Sequence, residues 1–152
     1  MKILLAVDGS KFSDAAVDNV ARRPWPDGSK LDIISVYEPP ALPTTETWVL
    51  PQHYYEEMEK ASQEQAREAI NTASERLRAA QSNLRINSEI ARGYPAEVIL
   101  DRANRWGEDL IVIGSHGYSG LKRFLLGSVS QNVSSHAKCS VEIVRAKDTT
   151  ES

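Results

Sequence analysis

A single cysteine, Cys139, stands in the 152 residues, so no disulfide framework can form within the chain, and this usage points to a reducing cytosol. Just ahead of an apolar run, it reads as an inert, half-buried thiol. Basic clustering is missing as well. The formal charge is −3, and Arg22-Arg23 and Lys122-Arg123 are isolated pairs, which argues against a nucleic-acid face or a general attraction to acidic lipid. No stretch approaches the roughly 20 apolar residues of a membrane span. The opening MKILLAVDGS is too short for a secretory leader, because its apolar run stops at Val7 and Asp8 follows. A soluble, cytoplasmic protein is expected.

Catalytic and metal signatures are equally sparse. His53 and His136 have no second His or Cys at ligand spacing, which argues against zinc. Ser13, Ser134 and Ser135 have no paired base that the sequence can show. The G-x-x-x-x-G-K-(S/T) loop of phosphoryl-transfer enzymes, with its lysine, does not occur. No repeat or linker divides the chain, so 1–147 reads as one domain and 148–152 as a short polar tail.

What the chain does have is strand and helix in alternation. Continuous apolar runs at 2–7 and 110–113 predict buried parallel strands, and 31–37, 84–90 and 141–144 (Val141, Glu142, Ile143, Val144) predict three more. Between them, Ser13-Asp14 opens a first helix, and a long helical stretch of about 42 Å runs over 53–80, its first third projecting, bending or covering a site. A helix with Pro95 in its first turn and Gly107 as its stop follows, and Val129, Val133 and Ala137 mark a last helix. Strands apolar on both faces need helices on both sides. The expected architecture is therefore α/β, an open five-stranded, mainly parallel sheet. Trp25, Trp48 and Trp106 read as packing residues, with Trp48, in the proline-rich loop 38–52, placed to serve as a lid or partner surface.

In such sheets ligands settle outside the carboxyl ends of the strands, where the strand order reverses. Two loops there carry unusual chemistry: Asp8-Gly9-Ser10 after the first strand, and GSHGYSGLKRFLLGSVS from 114 to 130 after the fourth. Gly114 and Gly117 allow positive φ and bare the backbone, and Gly127-Ser128 precedes a helix whose N-terminus suits phosphate. Ser128 and Ser130 add hydroxyls, and Ser128 with Gln131 equally fits a capping box that needs no ligand. His116, in the same turn, has phosphate, ribose or solvent as its neighbour. On glycines alone, phosphate binding and an ordinary connection stay level.

The segments MKILLAVDGS, GYPAEVIL, DLIVIGSHG and LLGSVSQNV match in order the universal stress protein family, whose ATP-binding members carry the spacing G-2x-G-9x-G-(S/T) seen in Gly114, Gly117, Gly127 and Ser128. That resemblance covers nearly the whole chain. It implies a Rossmann-like sheet of order 3-2-1-4-5, a homodimer paired through the last strand at 141–144, and a regulatory role read by a protein partner. It also implies bound ATP with Mg2+, AMP or ADP being possible in its place. Ala6, Val36 and Ile113 would line the adenine pocket. Asp8 would lie near the ribose and, through phosphate, the metal. Gly114, Gly117, Gly127, Ser128, Val129 and Ser130 would wrap ribose and phosphates. Pyrophosphatase-type relatives of this fold carry Ser-Gly-Gly-x-Asp-Ser after strand one, and only Asp8-Gly9-Ser10 stands here. A slow metal-dependent ATPase and a nucleotide-free structural dimer are the alternatives.

Overall fold

The computed structural model describes residues 1–42, 50–118 and 125–147. Trp48, Gly120 and Lys122-Arg123 lie outside them. Strand and helix alternate: β1 (Lys2–Ala6), α1 (Lys11–Arg22), β2 (Lys30–Tyr37), α2 (Gln52–Ala80), β3 (Arg85–Arg92), α3 (Pro95–Trp106), β4 (Leu110–Gly114), α4 (Ser128–His136) and β5 (Ser140–Val144). The five strands form one parallel sheet in the order β3-β2-β1-β4-β5. β1 and β4 are central neighbours, Ala6 lying opposite Ile113, and the chain direction across the sheet reverses between them. Their apolar runs follow from that place: β4 is buried at every position, Leu110 through Gly114, because helices cover both of its faces.

Two cores result, one on each side of the sheet. On one face Val17 and Val20 of α1 and Ala69, Ile70, Ala73 and Leu77 of α2 pack on Ile3, Leu5, Ile33 and Val112. On the other, Ile99 and Ala103 of α3 and Val133 of α4 pack on Leu4, Ile34 and Ile111. Alternate residues of β1 and β2 thus feed opposite cores, as the two-residue period of a strand requires.

The helix ends show where residue types alone decide and where they do not. α3 begins with Pro95 in its first turn and stops at Gly107, whose φ of 68° is the left-handed cap that favours glycine. α1 starts at Lys11, ahead of the expected Ser13-Asp14. Ser10 is its N-cap, and the Ser10 hydroxyl accepts the Ser13 amide at 3.2 Å. Ser10 is only 5% exposed, so an alanine there leaves a buried donor unpaired. Ser10→Ala is expected to lower stability by about 1 kcal/mol, read as a thermal midpoint lower by about 3 °C.

α2 is continuous over 29 residues, and its buried residues, Ala66 to Leu77, all lie in the second half. Its first half runs along the surface, tied by Glu59, which accepts from Arg92 of β3 at 2.5 Å. Cys139 is half-buried, and burial pushes its thiol above the ordinary value, the behaviour of an unreactive sulfur. Among the described residues no helix is long and apolar enough to cross a membrane.

Candidate functional site

Beyond the carboxyl ends of β1 and β4 lies a cleft of about 300 Å³. It sits where the strand order reverses, the place ligands take in open α/β sheets. The eleven residues singled out from the sequence all border it. Ala6, Val36 and Ile113 belong to an apolar side completed by Ile34, Pro95 and Ile99. Asp8, Gly114, His116 and Gly117 border it from the loops, and Gly127, Ser128, Val129 and Ser130 from the start of α4. Sequence reasoning missed Ser13 and Leu126, which border it too, and Ser115 and Tyr118, which shape it; only tertiary contact marks them.

Positive φ, one of the two expected uses of these glycines, is not what they serve. None of Gly114, Gly117 and Gly127 has positive φ; Gly127 sits at −72°. Each is instead a point of close approach. A Cβ on Gly114 would lie 2.7 Å from the carbonyl carbon and oxygen of Phe12, one on Gly117 3.0 Å from Asp8 Oδ2, and one on Gly127 3.1 Å from His116 Cα. The site's left-handed glycine is Gly9, at φ 81° in the turn after β1.

The capping-box reading of Ser128 and Gln131 is also corrected. Gly127 is the N-cap of α4, it offers no side-chain hydrogen bond, and Ser128 is the first residue inside the helix, with its side chain exposed. α1 differs from α4 here, because Ser10 caps it. The Gly127 amide donates to the Ser115 carbonyl at 2.7 Å, which turns the chain into α4. The buried Ser130 hydroxyl reinforces the turn, 2.8 Å from the Ser115 carbonyl and 3.0 Å from that of Gly127. It therefore shapes the site as a donor to backbone and keeps only lone pairs for anything else. What faces the cleft is an uncapped helix end, whose first-turn amides and partial positive charge favour an anion.

Asp8 holds the loops together. Its amide donates to Ser13 Oγ at 3.1 Å, its Oδ1 accepts the Ser10 amide at 2.9 Å, and its Oδ2 accepts the Tyr118 amide at 3.2 Å. His116 packs on Phe12, ring centroids 5.0 Å apart, with Nδ1 3.1 Å from Ser115 Oγ. Asp8 is the one carboxylate among the described residues bordering the cleft, and no group of three or more metal-ligating side chains occurs among them. Each Asp8 oxygen accepts one amide and keeps further acceptor capacity, so Asp8 would fit a phosphate-bound Mg2+ directly or through that ion's water shell.

A sequence profile described as the Universal stress protein family matches residues 1–145. The chain belongs to the universal stress protein family. The universal stress protein YxiE of Bacillus subtilis is 35% identical over 147 residues, covering 95% of this chain and 98% of that one. The solved structure of hypothetical protein MJ0577 superposes with a TM-score of 0.82 at 26% identity, covering 97% of both chains. A universal stress protein in complex with cAMP superposes at 0.68, also 26% identical, covering 97% of this chain and 98% of that one.

Proposed function

We propose that this universal stress protein is a regulatory binding module that holds an adenosine nucleotide in the β1–β4 cleft, ATP with Mg2+ foremost and ADP or AMP in its place. The observation that carries the reading is the uncapped N-terminus of α4 opening into a cleft that is apolar on its other side. A flat base suits the side made by Val36, Ile99 and Ile113, and phosphate suits the amides of Ser128, Val129 and Ser130 together with the exposed Ser128 hydroxyl. Among the described residues no lysine or arginine borders the cleft. Amides, the helix dipole and a phosphate-bound cation then supply the positive charge. The cAMP complex of a 26% identical neighbour with the same fold supports an adenosine ligand.

The same reading makes the protein a cytoplasmic homodimer paired through β5, its nucleotide state sensed by a protein partner. β5 closes one edge of the sheet, and its Val141 and Ile143 are only half-buried, while the opposite edge, β3, exposes Arg85, Asn87, Ser88 and Arg92. Charged and polar side chains discourage edge pairing, so β5 is the edge left for a partner strand.

Ser128→Ala tests the phosphate reading without touching a cap or a core position. Affinity for ATP is expected to fall about tenfold, and that for adenosine to stay within about twofold. Equal changes for both ligands would overturn the assignment of α4 to the phosphates.

A further inference from the structure

Asp8 and Tyr118 are 110 residues apart and meet across the mouth of the cleft. The Asp8 carboxylate takes one amide from each side: Ser10, on the turn that starts α1, and Tyr118, on the loop that leaves β4. Tyr118 returns the contact, its hydroxyl donating to the Gly9 carbonyl at 3.1 Å. The two loops are thus joined by two hydrogen bonds, both made by Tyr118, while the Ser10 amide braces the Asp8 carboxylate from within its own loop. Gly9 and Gly117 leave room for these contacts. The Tyr118 ring lies 3.6 Å from where a Gly9 Cβ would stand, with Ala69 of α2 at the same distance behind it, and Asp8 Oδ2 lies 3.0 Å from where a Gly117 Cβ would stand. Gly117 in turn borders the cleft, as do Asp8 and Ser13.

We infer that Asp8 and Tyr118 form a clasp between the β1 and β4 loops, so that Asp8 acts on the nucleotide as a positioning residue that fixes Gly117, and not as a ligand of the phosphate-bound metal. An ionised carboxylate accepting backbone amides is a strong hydrogen-bond acceptor; Oδ1 fixes the turn within the β1 loop and Oδ2 ties that turn to the β4 loop. The Tyr118 side chain, 65% exposed, does not border the cleft, and its ring and hydroxyl are turned to Gly9 and α2. Its contribution is therefore to backbone position rather than to ligand contact. The inference rests on the nucleotide reading of the cleft for its effect on binding; the clasp itself stands on the contacts between the loops.

The test uses the full chain with two substitutions. Asp8→Asn keeps the size of the side chain and replaces one acceptor oxygen with a donor, which opposes one of the two amides. Tyr118→Phe removes only the hydroxyl that reaches Gly9. Affinities are measured for AMP without metal and for ATP with and without Mg2+, and amide hydrogen exchange is followed at Gly117, Tyr118 and, as a control, in β2. The expected result is an affinity loss of about tenfold in Asp8→Asn and about threefold in Tyr118→Phe, the same for metal-free AMP as for ATP with Mg2+. Faster exchange confined to Gly117 and Tyr118, with β2 unchanged, accompanies it. A loss seen with ATP and Mg2+ and not with AMP would make Asp8 a metal-side residue and overturn the clasp. If the unsubstituted protein binds no nucleotide at all, the binding proposal fails, and the exchange result still decides the clasp: unaltered protection at Tyr118 in Asp8→Asn contradicts it.

Discussion

Gly114→Ala is expected to cost about 3 kcal/mol and to lower the thermal midpoint by about 10 °C, although it adds one methyl group. The added carbon would stand 2.7 Å from both the carbonyl carbon and the carbonyl oxygen of Phe12. These are backbone atoms in the first turn of α1, so no rotamer change can make room. Either α1 moves off the end of β4 or the strand end bends, and Val17 and Val20, both buried on that side, go with the helix. Gly28→Ala is the control. Gly28 has φ 79° and nothing within 4 Å of where a Cβ would stand, so only left-handed backbone strain opposes the change, about 1 kcal/mol. Thermal or urea unfolding of both variants separates clash from strain; equal losses would contradict the close approach of α1 to β4. Because Phe12 also packs on His116, the Gly114 variant should disturb the cleft as well.

Glu108→Gln is expected to act in the opposite direction, stabilising the protein above pH 7. Glu108 is 6% exposed at the amino end of β4, and neither carboxylate oxygen has a hydrogen-bond donor. Its carboxyl is pushed up to about 7, first by burial and then by the Asp32 carboxylate beside it, with Asp109 adding to the effect and Lys2 opposing it. Two ionised carboxylates have no donor between them, whereas a proton on Glu108 turns the contact into a hydrogen bond to Asp32. Asp32 is itself held by the Asn87 amide at 2.9 Å. Between the ordinary carboxyl value of 4.5 and about 7, the folded protein keeps a proton that the unfolded chain has released. The stability from this group is therefore complete below 4.5 and is lost as pH rises through about 7. Asp109 and Lys2 are exposed, and their access to water reduces the effect to on the order of 2 kcal/mol. Glutamine stays neutral and offers an N–H to Asp32 at every pH. Urea unfolding at pH 5 and pH 8 should show the variant close to the parent at the lower value and more stable at the higher; parallel pH profiles would contradict the buried pair.

These two groups mark the boundary of what residue order can reveal. Order and periodicity carried the sheet: the continuous runs of β1 and β4, Pro95 and Gly107 at the ends of α3, and the alternation of strand with helix all have local causes. The strand order 3-2-1-4-5, implied by family resemblance, is the one observed. Caps were ambiguous because Ser10, Ser13 and Asp14 all suit a helix start, and Ser128-x-x-Gln131 fits a box that the helix, starting at Ser128, leaves no cap for. The glycines were legible as special but not for their cause. Phe12, Asp8 and His116 crowd them from elsewhere in the fold, and such crowding has no local signature. The Asp8–Tyr118 and Asp32–Glu108 contacts span 110 and 76 positions, so nothing short of the fold brings them together.

The central claim is that the β1–β4 cleft holds an adenosine nucleotide by the bare start of α4. Calorimetric titration of the purified protein with ATP, ADP, AMP and cyclic AMP, each with and without Mg2+, tests it most directly. The prediction is saturable binding of one nucleotide per chain, tightest for ATP with Mg2+, and its loss in Gly127→Val, whose branched side chain would occupy the space 3.1 Å from His116 Cα. Failure of all four nucleotides to bind at about 1 mM, or unchanged binding in Gly127→Val, would contradict it.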